Sequence, residues 1–98
     1  LGLDPGTGAL VGDTAAEQAA QALDNLDCVL RAGGASLADA VMVTVYLVDL
    51  DEFGEVNAVY AEKVPPPFPA RVCVQAAALP KGGRVEISAI AVRRAASD

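Results

Sequence analysis

The stretch Val41-Met42-Val43-Thr44-Val45-Tyr46-Leu47-Val48 decides the fold. It is dominated by β-branched residues, which crowd a helix and fit a pleated surface. Side chains alternate along a strand, so Val41, Val43, Val45 and Leu47 make one aliphatic face, and Met42, Thr44, Tyr46 and Val48 make a mixed one. Apolar residues on both sides mark a central strand whose two faces are both expected to be covered. The aliphatic face suits helices, and the mixed face suits a cavity or an interface.

Upstream, Thr14-Ala15-Ala16-Glu17 has the form of a capping box, in which the threonine hydroxyl and the glutamate side chain satisfy each other's free backbone amides. Ala16, Ala19, Leu23, Leu26 and Leu30 then recur at helical spacing, and Gly33-Gly34 supplies a left-handed stop. A helix of about 18 residues is predicted, long enough to cross a sheet. Cys28 falls on its flank and is expected to be a buried or half-buried thiol instead of a reactive one. Asp4-Pro5-Gly6-Thr7-Gly8 reads as a turn leading into a short strand at 9–11. Without G-x-G-x-x-G, a Walker pattern or a nearby lysine, a phosphate loop is disfavoured.

Downstream, Asp49-Leu50-Asp51 ends the central strand, and a second helix over 52–63 presents Phe53, Val56, Val59, Tyr60 and Val64 on its apolar side. Asn57 and Tyr60 read as structural members of that helix. Pro65-Pro66-Pro67-Phe68-Pro69 cannot continue it and reads as a stiff extended connector, not a ligand for an SH3-type partner, because a strand follows at once.

That strand, over 70–77, puts Arg71, Cys73, Gln75 and Ala77 on one side and Ala70, Val72, Val74 and Ala76 on the other. The small aliphatic side is assigned to the helices, which turns Arg71 and Cys73 toward the surface that Met42, Thr44 and Tyr46 line. An arginine placed there needs a carboxylate or another anion. After the Lys81-Gly82-Gly83-Arg84 turn, a last strand over 85–92 carries Glu86 and Ser88 on one side and Val85, Ile87, Ala89 and Ala91 on the other. Glu86 is the candidate partner of Arg71. If the last two strands pair directly as a hairpin, however, Arg71 falls opposite a residue near Val92, roughly 15–20 Å from Glu86. A shared site then needs two subunits or a different strand order.

Composition bounds the rest. A chain of 98 residues buries only about two-thirds of its unfolded surface, so assembly with other copies is expected. With 53% hydrophobic but 4% aromatic residues, the core must be aliphatic and thin. A net charge of −6 repels phosphate backbones and anionic membranes, so neither nucleic acid nor membrane is an expected partner. No run reaches the roughly 18–20 apolar residues of a membrane span. Cys28 and Cys73 stand far apart without C-x-x-C spacing, which suggests neither a disulfide framework nor a zinc site. A cytoplasmic setting without metal or cofactor is the expectation.

Asn57-x-x-Tyr60, Pro69-Ala70-Arg71-x-Cys73-Val74, Leu79-Pro80 and Val85-Glu86-Ile87-x-Ala89-Ile90-Ala91, in this order, resemble the RidA (YjgF-like) family of reactive enamine/imine deaminases. The resemblance runs over about residues 3–94. It implies an α+β, chorismate-mutase-like subunit, a mixed β-sheet with two helices packed on one face, assembled as a trimeric barrel with active sites in clefts between subunits. Residues 1–98 then form a single domain of this type. The family's opening strands, which carry a tyrosine and a Gly/Ser-rich ligand-lining segment, have no counterpart in it. The connection between Asn57 and Arg71 is also shorter and richer in proline than the family's.

By the same resemblance, Arg71 grips the substrate carboxylate, Glu86 attends the catalytic water and Cys73 touches the ligand without acting as nucleophile. The implied reaction is hydrolysis of 2-aminoacrylate, 2-iminopropanoate or 2-iminobutanoate to a 2-keto acid and ammonia. Such small anions need one forked cation and one group that moves protons, and no cofactor. Two other functions remain: a non-catalytic trimer that binds small carboxylates or regulates, and the endoribonuclease or translation-inhibitor role ascribed to some relatives. The acidic charge and the lack of histidine count against the latter.

Overall fold

A computed structural model describes residues 1–93 of the chain. Helix α1 (Ala15–Ala32) starts where its cap predicts. The Glu17 amide donates to the Thr14 hydroxyl at 3.1 Å, and the Thr14 amide donates to the Glu17 carboxylate at 3.4 Å. It ends at Gly33, and the left-handed φ of +88° falls on Gly34. Strand β1 (Ala40–Leu47) follows, then α2 (Phe53–Lys63), β2 (Ala70–Gln75) and β3 (Val85–Ala91). The segment at 80–82 that precedes β3 is a tight turn in which Lys81 and Gly82 take left-handed φ of 59° and 70°. The last five residues of the expected domain, 94–98, lie outside the described residues.

Among the described residues the sheet has three strands in the order β2-β1-β3. Strand β1 is central, parallel to β2 and antiparallel to β3. The conditional hairpin between the last two strands does not form, because β1 lies between them. A parallel neighbour cannot be reached by a tight turn, and α2 with the proline segment supplies the crossover that the parallel β1–β2 pair requires.

Both helices cover one face. Val43, Val45 and Leu47 of β1 meet Val85 and Ile87 of β3 in a core that α1 closes with Ala15, Ala19, Ala22 and Leu23, and α2 with Val56 and Tyr60. Alanines on α1 let its backbone approach the sheet closely, which is how a core nearly free of aromatic rings reaches native packing density. Gln18 is buried too, and it joins three segments: its amide donates to the Gly12 carbonyl at 3.2 Å and accepts from the Arg84 amide at 2.8 Å.

Three expectations need correction. Register places Arg71 beside Val43, Cys73 beside Val45 and Gln75 beside Leu47. Paired residues share a face, so Arg71 and Cys73 point toward the helices, not away from them. The side assigned to the helices is instead the open one, with Val72 41% and Val74 40% exposed, and Ile90 of β3 64% exposed. The second sheet face is therefore uncovered within one chain. The physical reason is that β2 is an edge strand, beyond the densest part of the helical layer, where a polar residue can face the helices and still reach water. Cys28 is the third correction, since it is exposed on α1.

Leu47 is fully buried at the centre of this layer. Leu47→Ala should cost about 2–5 kcal/mol of unfolding free energy, read as a lowered urea midpoint with unchanged slope.

Candidate active site

Arg71 stands at the beginning of β2, on the helix-facing side of the sheet edge. Helix α2 presents Phe53, Asn57 and Tyr60 to it at i, i+4 and i+7, one stripe of an α-helix. The guanidinium carbon lies 5.2 Å from the centre of the Phe53 ring and 4.7 Å from that of Tyr60. In that range the negative faces of the rings attract the cation. Its Nη1 donates a short hydrogen bond to the Asn57 side-chain oxygen.

No carboxylate of the described residues pairs with Arg71, in contrast to Arg31 on Asp27 at 2.7 Å and Arg84 on Glu52 at 2.5 Å. The exposed cation opens onto a cleft of about 450 Å³ lined by Asn57, Tyr60, Ala61, Phe68, Pro69 and Arg71. One full positive charge with most of its five donors unused, set among apolar walls, has the chemistry to take a small anion with a planar, two-oxygen head.

Cys73 is two residues further along the same face and is half-buried against the core. Burial pushes its thiol above the usual value, and the positive charge of Arg71 offsets this only in part. A thiol so placed is less readily ionised than an ordinary cysteine, which counts against a nucleophilic role. Burial likewise raises the Tyr60 phenol, again opposed by Arg71. The Tyr60 hydroxyl is buried without a hydrogen-bond partner among the described residues.

Glu86 is placed differently. It pairs across the sheet with Tyr46, whereas its neighbour Ile87 pairs with the core residue Val45. Glu86 therefore projects from the face opposite to Arg71, with β1 between their strands. Within one chain the structure brings together Arg71 and Cys73 but not Glu86. Asn57 and Tyr60, expected to be structural members of α2, hold Arg71 together with Phe53. Their spacing with Phe53 was the available signal, obscured because the strand's polar side was turned the wrong way.

With this geometry in view, similarity to known proteins is informative. The sequence profile of the Endoribonuclease L-PSP family, the YjgF/RidA group, matches residues 1–93. The chain belongs to this family. A bovine relative named 2-iminobutanoate/2-iminopropanoate deaminase is 50% identical over 93 residues, which is 95% of this chain and 68% of the relative. Among solved YjgF/RidA structures, RidA from the Antarctic bacterium Psychrobacter superposes with a TM-score of 0.89 at 44% identity, covering 93% of this chain and 73% of that one. E. coli TdcF, crystallised with bound serine, gives 0.86 at 38% identity, with coverage of 94% and 74%. The two-helix, three-stranded mixed sheet is thus the YjgF/RidA arrangement.

The alkylation rate of Cys73 at fixed iodoacetamide should rise through a midpoint above that of an ordinary thiol. Arg71→Ala removes the charge that favours the thiolate, so this midpoint should move further up. A midpoint that stayed put or fell would detach Cys73 from the electrostatics of the Arg71 cleft.

Proposed function

We propose that the protein hydrolyses reactive 2-imino and 2-enamino acids, among them 2-aminoacrylate, 2-iminopropanoate and 2-iminobutanoate, to 2-keto acids and ammonia. The observation that carries this reading is the carboxylate-free Arg71 fork, held at the mouth of a cleft sized for a small molecule. It agrees with the deaminase names of relatives at 44–50% identity. Serine, the molecule bound in the TdcF relative, is the hydrated counterpart of 2-aminoacrylate and carries the same carboxylate.

In the proposed reaction Arg71 takes the substrate carboxylate through two parallel N–H···O bonds, with Cys73 against the ligand. An enamine first gains a proton on its terminal carbon and gives one up from nitrogen to become the imine. Water then adds to the C=N carbon, and the resulting carbinolamine expels ammonia to leave the keto acid. A group that takes a proton from water and returns one to nitrogen is required, and Glu86 is the proposed one. Because it projects from the other sheet face, it would come from a second copy of the chain. The proposed assembly is a trimer in which the open faces, with Val72, Val74 and Ile90, are covered by neighbouring copies. The substrate site then lies between subunits and needs no metal or cofactor.

The family's endoribonuclease description is the competing reading. A chain of net charge −6 without histidine lacks both the basic track that follows a phosphate backbone and the usual proton shuttle. A cytoplasmic location belongs to the same proposal, as does independence from nucleic acid and membrane. Among the described residues no helix is long and apolar enough to cross a membrane.

The test is keto-acid release from freshly generated 2-iminobutanoate, with sedimentation run in parallel. Arg71→Ala should lose a charge-assisted pair worth about 1.5–3 kcal/mol, roughly 10- to 150-fold in affinity, and sediment as the parent does. Glu86→Gln should bind product normally and turn over about 10²–10⁴-fold more slowly. Absence of acceleration over buffer by the assembled parent protein would sink the deaminase reading, and dissociation of the Arg71→Ala assembly would make Arg71 an ion-pair partner instead.

A further inference from the structure

We propose that Asn57 is the positioning residue of the Arg71 anchor, and that its neutrality is what keeps the anchor selective for anions. This rests on the reading of Arg71 as a carboxylate anchor. A guanidinium on a long side chain has many rotamers, and an anion-binding fork works only if its plane and its free edge are fixed before the ligand arrives.

Two groups of contacts do this. The rings of Phe53 and Tyr60, 5.2 and 4.7 Å from the guanidinium carbon, restrict its position from the faces. The side-chain oxygen of Asn57 accepts in the remaining direction, from Nη1. Among the described residues no other acceptor is bonded to the head group, so Nε and Nη2 remain for a ligand. All three contacts come from uncharged groups on one helix stripe. They orient the cation without neutralising it.

The residue type matters because the chain had closer alternatives for a mere tie between α2 and β2. An aspartate at 57 would make a stronger bond to Arg71, as Asp27 does to Arg31 and Glu52 to Arg84. Asparagine is also a poor choice for the interior of a helix on intrinsic grounds. An amide oxygen holds the guanidinium and leaves its charge for the ligand, whereas a carboxylate would occupy the fork and repel an incoming anion.

The two roles give opposite rank orders for two substitutions. If Asn57 only ties helix to strand, Asn57→Asp, nearly the same shape with a stronger bond, should be harmless and Asn57→Ala the worse change. If it positions an anion anchor, Asn57→Asp should be the worse change for ligand although the protein melts no lower than the parent.

The experiment measures 2-oxobutanoate affinity by calorimetry at pH 7 and the kinetics of 2-iminobutanoate hydrolysis, on the full chain, with melting temperatures for each variant. Asn57→Ala should weaken 2-oxobutanoate about fivefold and raise KM with kcat held, while Asn57→Asp should weaken it about 100-fold. An Asn57→Asp protein that binds as the parent does, or better than Asn57→Ala, overturns the proposal. Arg71→Ala separates the two levels of inference. If it binds 2-oxobutanoate as well as the parent, anchor and positioning residue fall together. If it loses the ligand while the parent binds but does not turn over, only the deaminase reading fails, and the Asn57 rank order still decides its role.

Discussion

The parallel register that sets Arg71 beside Val43 and Cys73 beside Val45 is the constraint on which the rest of the site depends. It drops a permanent cation onto the edge of an aliphatic sheet face. A guanidinium there cannot be buried alone, because removing a charge from water without compensation costs more than a small domain can spare. Helix α2 answers with two aromatic faces and an amide, and the edge position leaves the head group open to the cleft. The same strand pairing fixes Cys73 two residues inward, where hydrophobic neighbours raise its thiol and Arg71 partly opposes them. Cleft, thiol and clamp are thus consequences of one register.

Alternation on β3 works against a complete site within a single chain. Once Ile87 is committed to the core beside Val45, Glu86 has to leave from the other face, and the sheet separates it from Arg71. No side-chain rotation moves a residue through a sheet. In the proposed assembly a second copy brings the carboxylate to the cleft, and the open face of the chain exposes Val72, Val74 and Ile90 beside Thr44, Tyr46 and Ser88. In the proposed trimer this apolar patch is the surface that neighbouring copies cover.

Much of the fold is legible in the sequence because the relevant signals are local. Thr14 and Glu17 set the start of α1, the glycines at 33 and 34 set its end, and the valines of β1 show its place at the centre of the sheet. The face of β2 is not legible from which side is more aliphatic, because that rule assumes the helices cover a strand evenly. Val72 and Val74 are apolar yet lie on the open face, while Arg71 faces α2 because an edge strand lets it reach water. Which strand neighbours which is decided by contacts between distant segments, so the order β2-β1-β3 had no local signature. The partners of Arg71 on α2 are visible as an i, i+4, i+7 stripe only after that side is known.

The charge distribution bears on ligand size in a way that a net value hides. A field from six excess negative charges opposes every phosphate of a polyanion at once. A small monoanion meets the same field once, and beyond a Debye length of about 8–10 Å salt screens most of it. At contact the unscreened term is the Arg71 fork, strengthened by the apolar walls of Phe68, Pro69 and Tyr60 around it. The molecule is therefore repulsive at range and attractive at one point, which selects for ligands whose negative charge is confined to one carboxylate. The reactive imino acids of the proposed reaction satisfy that condition.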